Sequence, residues 1–228
     1  MPSDHPIVLG FDTSAAHCAV ALLQGPETLA HRTEDMTRGQ AERLMPLLEE
    51  TLRDAGLAWR DLAAIGVGIG PGNFTGIRIS VSAARGLSLG LGIPAIGVSG
   101  LEALTHGYSN VIACWPAPRD SAYVQAFVAG GDPSPRLVRS ADDLPIYPAG
   151  ALPSLVGPGA ETVMALRPES VTDPLFPLPV AIASIAAERL QGVAAKDIPA
   201  PAPLYLKPAD AAPSSTPPVA MLSSNHDA

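Results

Sequence analysis

Apolar and polar positions fall in short blocks along this chain, and the period changes from block to block. Residues 7–12 (Ile-Val-Leu-Gly-Phe-Asp) form an apolar run closed by an acid, the pattern of a buried strand. Thr13 and Ser14 supply a turn. Residues 18–23 read as a second strand and 27–33 as a weaker third, with Gly25-Pro26 as the hairpin signal between them. From 38 to 55 the period lengthens to that of a helix. Leu44, Leu47, Leu48 and Leu52 fall on one stripe, while Glu42, Arg43, Glu49, Glu50 and Arg53 lie mostly elsewhere. Gly56 reads as the stop, and Pro46 inside the pattern predicts a kink or a late start. A buried strand at 63–69, a glycine-rich loop at 70–76, a helix at 77–91, a strand at 94–98 and a short helix from Leu101 follow. The 77–91 helix is small and apolar on nearly every side (Ala83, Ala84, Gly86, Leu87, Leu89), which predicts cover on more than one face.

The second half is less regular. Residues 110–113 and 123–129 read as a hairpin, 137–148 is mixed, 152–157 is a candidate strand and 180–190 an Ala-rich helix. From Pro199 the chain is Pro-rich, and 211–228 reads as a flexible tail by composition. Three strands, a helix, a strand and a helix in the first half imply an α/β fold, a mixed sheet with helices on its faces. The opening hairpin distinguishes it from a plain doubly wound fold.

Composition narrows the function. Of 228 residues, 47% are apolar and only 4% aromatic, so the core leans on Ala, Val, Ile and Leu. No apolar run reaches bilayer length, and the N-terminus does not read as a signal peptide. Cys18 and Cys114 stand alone in apolar stretches, which fits free thiols in a reducing cytoplasm. The net charge is −8 and the basic residues are scattered, so unaided RNA binding is not expected. The five histidines are dispersed without ligand spacing, which predicts no metal site, and no nucleophile elbow can be assigned.

Two motifs have chemical potential. Asp12-Thr13-Ser14 sits at a strand-to-hairpin turn, where an acid and hydroxyls can face a phosphate and its metal. It equally reads as a turn whose Asp caps nearby amides. Gly70-Pro-Gly-Asn-Phe-Thr-Gly76 joins a strand to a helix whose N-terminal amides could hold an anion. Its spacing is neither the dinucleotide fingerprint nor a Walker loop, and it also reads as a tight packing turn. Asp12, Gly70, Gly72, Asn73 and Thr75 are therefore the candidate phosphate-loop residues.

The opening Ile7-Val-Leu-Gly-Phe-Asp-Thr-Ser14 resembles that of actin-like ATPase-fold proteins. The block from Gly70 to Ile79, with Ala84-Arg-Gly-Leu-Ser-Leu-Gly90 and Ile93-Pro-Ala-Ile-Gly-Val-Ser99, resembles the signature of the TsaB (YeaZ) family. Pro203-Leu-Tyr-Leu-Lys207, with Ala209-Asp-Ala211, is similar to that family's closing segment. The match is good over about the first 107 residues and patchy to 211. The resemblance implies an actin-like (ASKHA, ribonuclease H-like) fold of two lobes, expected at 1–107 and 108–210.

It also implies a non-catalytic scaffold or activating subunit of the complex that forms N6-threonylcarbamoyladenosine in tRNA. The implied partners are a catalytic TsaD-type subunit and a TsaE-type ATPase, with tRNA met only through the complex, and a homodimer when the partner is absent. No cofactor is implied. The catalytic sibling holds a metal through two His four residues apart, and those places here are Gly100 and Leu104. The expected partner surface is the leucine stripe (Leu44, Leu47, Leu48, Leu52) and the second helix around Ala83 and Leu87. Where the family has Asp and Arg before a turn, this chain has Pro116 and Pro118. The competing expectation is an ATP-dependent small-molecule kinase of the actin-like superfamily using Asp12 and the 70–76 loop.

Overall fold

A computed structural model of the chain describes residues 5–206. The tail expected at 211–228 and the motif residues Lys207 and 209–211 lie outside the described residues. The first sheet is built from β1 (Ile7–Asp12), β2 (His17–Gln24), β3 (Glu27–Asp35), β4 (Leu62–Gly68) and β5 (Ala95–Val98), in the order β3-β2-β1-β4-β5. Strands β1, β2 and β3 pair antiparallel, whereas β1, β4 and β5 run parallel. Parallel neighbours need crossovers, and α1 (Gln40–Asp54) and α2 (Phe74–Leu91) supply them.

After α3 (Gly100–Thr105) the chain builds a second sheet. Its strands are β6 (Val111–Ala117), β7 (Ser121–Phe127), β8 (Arg136–Val138), β9 (Ser154–Val156) and β10 (Val171–Thr172), ordered β10-β9-β6-β7-β8. The short helix α4 (Ala160–Met164) packs on it, and α5 (Leu178–Leu190) follows. Two mixed sheets flanked by helices are the arrangement of an actin-like, ribonuclease H-like fold.

The leucine stripe of α1 faces the first sheet. Leu44, Leu47, Leu48 and Leu52 are at most 2% exposed and share one core with Leu9, Phe11, Val20, Leu22 and Ile65. The sheet covers them, so the chain's own core accounts for the period that suggested a partner surface. The helix runs without a late start from Gln40 through Pro46. Pro46 and Glu42 are both exposed, so the carbonyl that loses its N–H partner to proline sits on the water side.

The other face of the first sheet is covered by α5, which falls within the 108–210 stretch expected as the second lobe. Val180, Ile182, Ala183, Ile185 and Ala186 pack with Val8, Ala21, Ala64 and Ile96, so the chain returns to the first sheet after building the second. The contact is very close. A Cβ at Gly10 would lie 2.5 Å from the Pro179 carbonyl oxygen, and one at Gly66 would lie 2.8 Å from Ala186 Cβ. Glycines in β1 and β4 thus let the small face of α5 rest on strand backbone.

The β6–β7 hairpin is longer than expected. Between the paired Ala117 and Ser121, its three-residue turn carries Arg119 and Asp120 at φ of 65° and 50°, in the left-handed region that reverses the chain tightly. Pro116 lies past the last residue of β6 paired with β9, so its missing N–H breaks no ladder there.

Candidate functional site

Because β1 and β4 are parallel neighbours, their C-terminal ends lie side by side, and the two loops singled out in the sequence meet there. Asp12 is buried at the end of β1. Its Oδ1 accepts from Ser14 N (2.9 Å), Ser14 Oγ (2.9 Å) and His17 Nε2 (2.7 Å). The carboxylate therefore ties the turn after β1 to the first residue of β2. His17 is one of the five dispersed histidines, and the hairpin register brings it to Asp12. Ser14 and His17 both donate to Asp12 rather than to one another, so this trio lacks the Ser–His bond of an activated nucleophile.

The glycine-rich loop closes onto the same turn. Asn73 N donates to Ser14 O (2.6 Å), and Thr13 Oγ1 donates to Gly76 O (2.7 Å). Asn73 also caps α2, its Oδ1 accepting from Gly76 N at 2.9 Å. A Cβ at Gly72 would sit 2.2 Å from Ser14 O, and one at Gly76 would sit 2.0 Å from Thr13 O. Gly68, at the end of β4, leaves room for the Asp12 carboxylate. Asp12, Gly70, Gly72 and Asn73 are thus brought together, with Thr75 exposed on the first turn of α2. The glycines answer to the close approach of the chain's own backbone. At this helix start Asn73 N and Gly76 N already have acceptors within the chain.

The outer side of α2 is different. Ser82, Arg85, Gly86, Leu89 and Gly90 are exposed, Leu89 by 88%. A Cβ at Gly86 or Gly90 would meet nothing within 4 Å. Ala83 and Leu87 are half-buried against the first core, between the sheet and this open side. At the helix start, the Arg78 guanidinium lies 3.9 Å from the Phe74 ring centroid, and its Nε donates to Tyr205 Oη at 3.1 Å. Phe74 and Tyr205 stack at 5.1 Å. The neighbouring α1 is pinned to β3 by Arg43, which donates to Glu34 (2.6 Å) and Glu50 (2.7 Å). Those hydrogen bonds hold both carboxyls below the usual glutamate range.

Gly100 packs beneath the Trp115 ring, and Leu104 lies against Gly157. No group of three His, Cys, Asp or Glu able to hold a metal occurs among the described residues. No helix there is long and apolar enough to cross a membrane. Burial pushes the Cys18 thiol up to about 11 and the Cys114 thiol up to about 12.

Comparison with known proteins adds to this geometry. The family model described as "TsaD: tRNA N6-adenosine threonylcarbamoyltransferase" matches residues 28–130. A Haemophilus influenzae protein named "tRNA threonylcarbamoyladenosine biosynthesis protein TsaB" is 35% identical over 128 residues, 53% of each chain. The match thus spans about half the length of that relative. An uncharacterized Mycobacterium tuberculosis protein is 32% identical over 212 residues, 90% of this chain and 94% of its own. Two solved Pseudomonas aeruginosa structures superpose over their full length. One is described as similar to peptidase YeaZ (29% identity, TM-score 0.71, 89% of this chain), the other as YeaZ (28%, 0.63, 88%). With the loop signature, the two-sheet fold and these matches in agreement, the chain belongs to the TsaB (YeaZ) family.

Proposed function

We propose that this chain is the non-catalytic, activating partner of a TsaD-type subunit in the formation of N6-threonylcarbamoyladenosine in tRNA. The observation that carries the reading is the open side of α2. Gly86, inside the helix, and Gly90, in its last turn, stand one turn apart with nothing among the described residues within 4 Å of where a Cβ would project, beside a Leu89 that is 88% exposed. Glycine inside a helix is destabilising by roughly 0.5–1 kcal/mol relative to alanine. No packing among the described residues calls for either glycine, whereas a partner helix approaching closely would.

Ala83 and Leu87, at the seam between α1 and α2, support that contact from below. The net charge of −8 favours a division of labour in which another subunit grips tRNA. A TsaE-type ATPase completes the machinery, and the same face of α2 joins two copies when the partner is absent. The kinase reading is disfavoured because Thr13 and Ser14 are engaged by Gly76 and Asn73 of the glycine-rich loop rather than left facing an open phosphate site. Asp12, Gly70, Gly72, Asn73 and Thr75 act in this reading as structural remnants of a phosphate site.

Co-expression with the TsaD-type subunit of the same genome tests the proposal. A stoichiometric complex, and threonylcarbamoylation that depends on this chain, are expected. ATP-dependent phosphotransfer by the chain alone would reinstate the kinase.

A further inference from the structure

A pocket of about 480 Å³ opens between residues of the two sheets, with His17 of the Asp12–His17 pair in its wall. His17, Leu104 and Trp115 line it together with the segment Pro174 to Leu178 and Pro158. Its volume lies in the range of small-molecule sites, about 300–1,000 Å³. The wall is apolar, and His17 is the only lining side chain with a polar group besides the Trp115 indole. No lining residue carries a fixed charge, so a charged ligand would be desolvated without compensation.

Two further features point to a ligand of definite shape. Leu175 and Phe176 stand exposed at the mouth although they are large and apolar. Phe176 is held by the His106 ring at 5.2 Å, and His106 is itself bonded to Ser184 on α5. The rim is therefore preformed, with prolines 158, 174 and 177 stiffening it. Trp115 and Phe176 supply aromatic surface suited to a flat ring. Asp12 Oδ1 gathers three donors, which places the His17 proton on Nε2. Nδ1 is then the ring nitrogen that Asp12 does not engage, and in the neutral ring it accepts a hydrogen bond.

We propose that this pocket binds a small, neutral, planar heteroaromatic molecule, seated against Trp115 and Phe176 and donating a ring N–H to His17. The site lies apart from the open side of α2, so it is tested on the free chain and stands or falls independently of the partner proposal.

Trp59→Phe leaves Trp115 as the sole tryptophan, and benzimidazole, neutral at mildly alkaline pH, serves as the probe. Saturable quenching of Trp115 with a Kd of about 1 mM or tighter is expected. Phe176→Ala and Leu175→Glu alter exposed side chains and should each weaken binding by about tenfold with the thermal melt retained. Benzimidazole-5-carboxylate should bind at least about tenfold more weakly than the neutral ring. Non-saturable quenching, parent-like affinity in both variants, or equal binding of the carboxylate would each overturn the proposal.

Discussion

Replacing Gly86 with leucine should strengthen the free chain and weaken its assembly. Gly86 lies inside the 18-residue α2, away from both ends, with no atom of the described residues within 4 Å of where a Cβ would project. A leucine there therefore clashes with nothing. Exchange of a helix-interior glycine for a good helix former is worth about 0.8 kcal/mol. In a chain of this size that raises Tm by about 2–3 °C. At a close helix–helix contact the same side chain must be accommodated between the two backbones. Overpacking of that kind costs typically 1–3 kcal/mol, or about five- to 150-fold in Kd. A thermal melt of the free variant and calorimetric titration with the TsaD-type subunit read the two effects separately. A variant with a lowered Tm would show that Gly86 serves the chain's own fold. A variant that binds the partner as the parent does would remove the open side of α2 from the interface.

The buried leucine stripe makes a contrasting case. Leu48→Glu places a carboxylate in a site of 0% exposure, a cost of several kcal/mol against a typical total stability of 5–15, so loss of the cooperative melt is expected. A folded variant defective only in assembly would return Leu48 to the interface. Gly66→Val would push a side chain into Ala186 and the Ile182 carbonyl, lowering stability by about 1–3 kcal/mol. Denaturant titration checks this, and an unchanged midpoint would refute the close seat of α5. Cys18 and Cys114 should resist an aromatic disulfide reagent until denaturant is added, because burial raises both thiols from an ordinary value of 9.0. The unfolded chain loses those protons first, so their contribution is full below about pH 9 and declines as pH rises through about 11 and 12. Rapid labelling of the native chain, or stability that does not fall in that range, would contradict their burial.

The first sheet was legible because its strands are continuous apolar runs and α1 repeats Leu at helical spacing. What that spacing could not say was which surface the stripe meets. A stripe facing one's own sheet and a stripe facing another protein have the same period, and burial resolved Leu44 to Leu52 as core. The return of α5 to the first sheet was hidden for another reason. Its sequence is apolar around most of its circumference, and the signal that fixes its seat is a pair of glycines more than a hundred residues upstream, Gly10 and Gly66. The weak strands at 136–138 and 171–172 are two or three residues long and carry too few alternations to be read. At the candidate site, the 70–76 glycines were recognised as permitting close approach. That they admit the Thr13–Ser14 backbone depends on the parallel register of β1 and β4, and so does the Asp12–His17 bond on the register of β1 and β2.

The most direct test is reconstitution of tRNA threonylcarbamoylation with the TsaD-type subunit and the other components of the same genome, in the presence and absence of this chain. A modification rate that rises by at least about tenfold, equivalent to about 1.4 kcal/mol in activation free energy, is predicted when the chain is added. That rise should occur together with a stable complex of the two proteins and be lost in Gly86→Leu. Full activity without the chain, or stimulation undiminished by a folded Gly86→Leu, would contradict an activating partner that docks through α2.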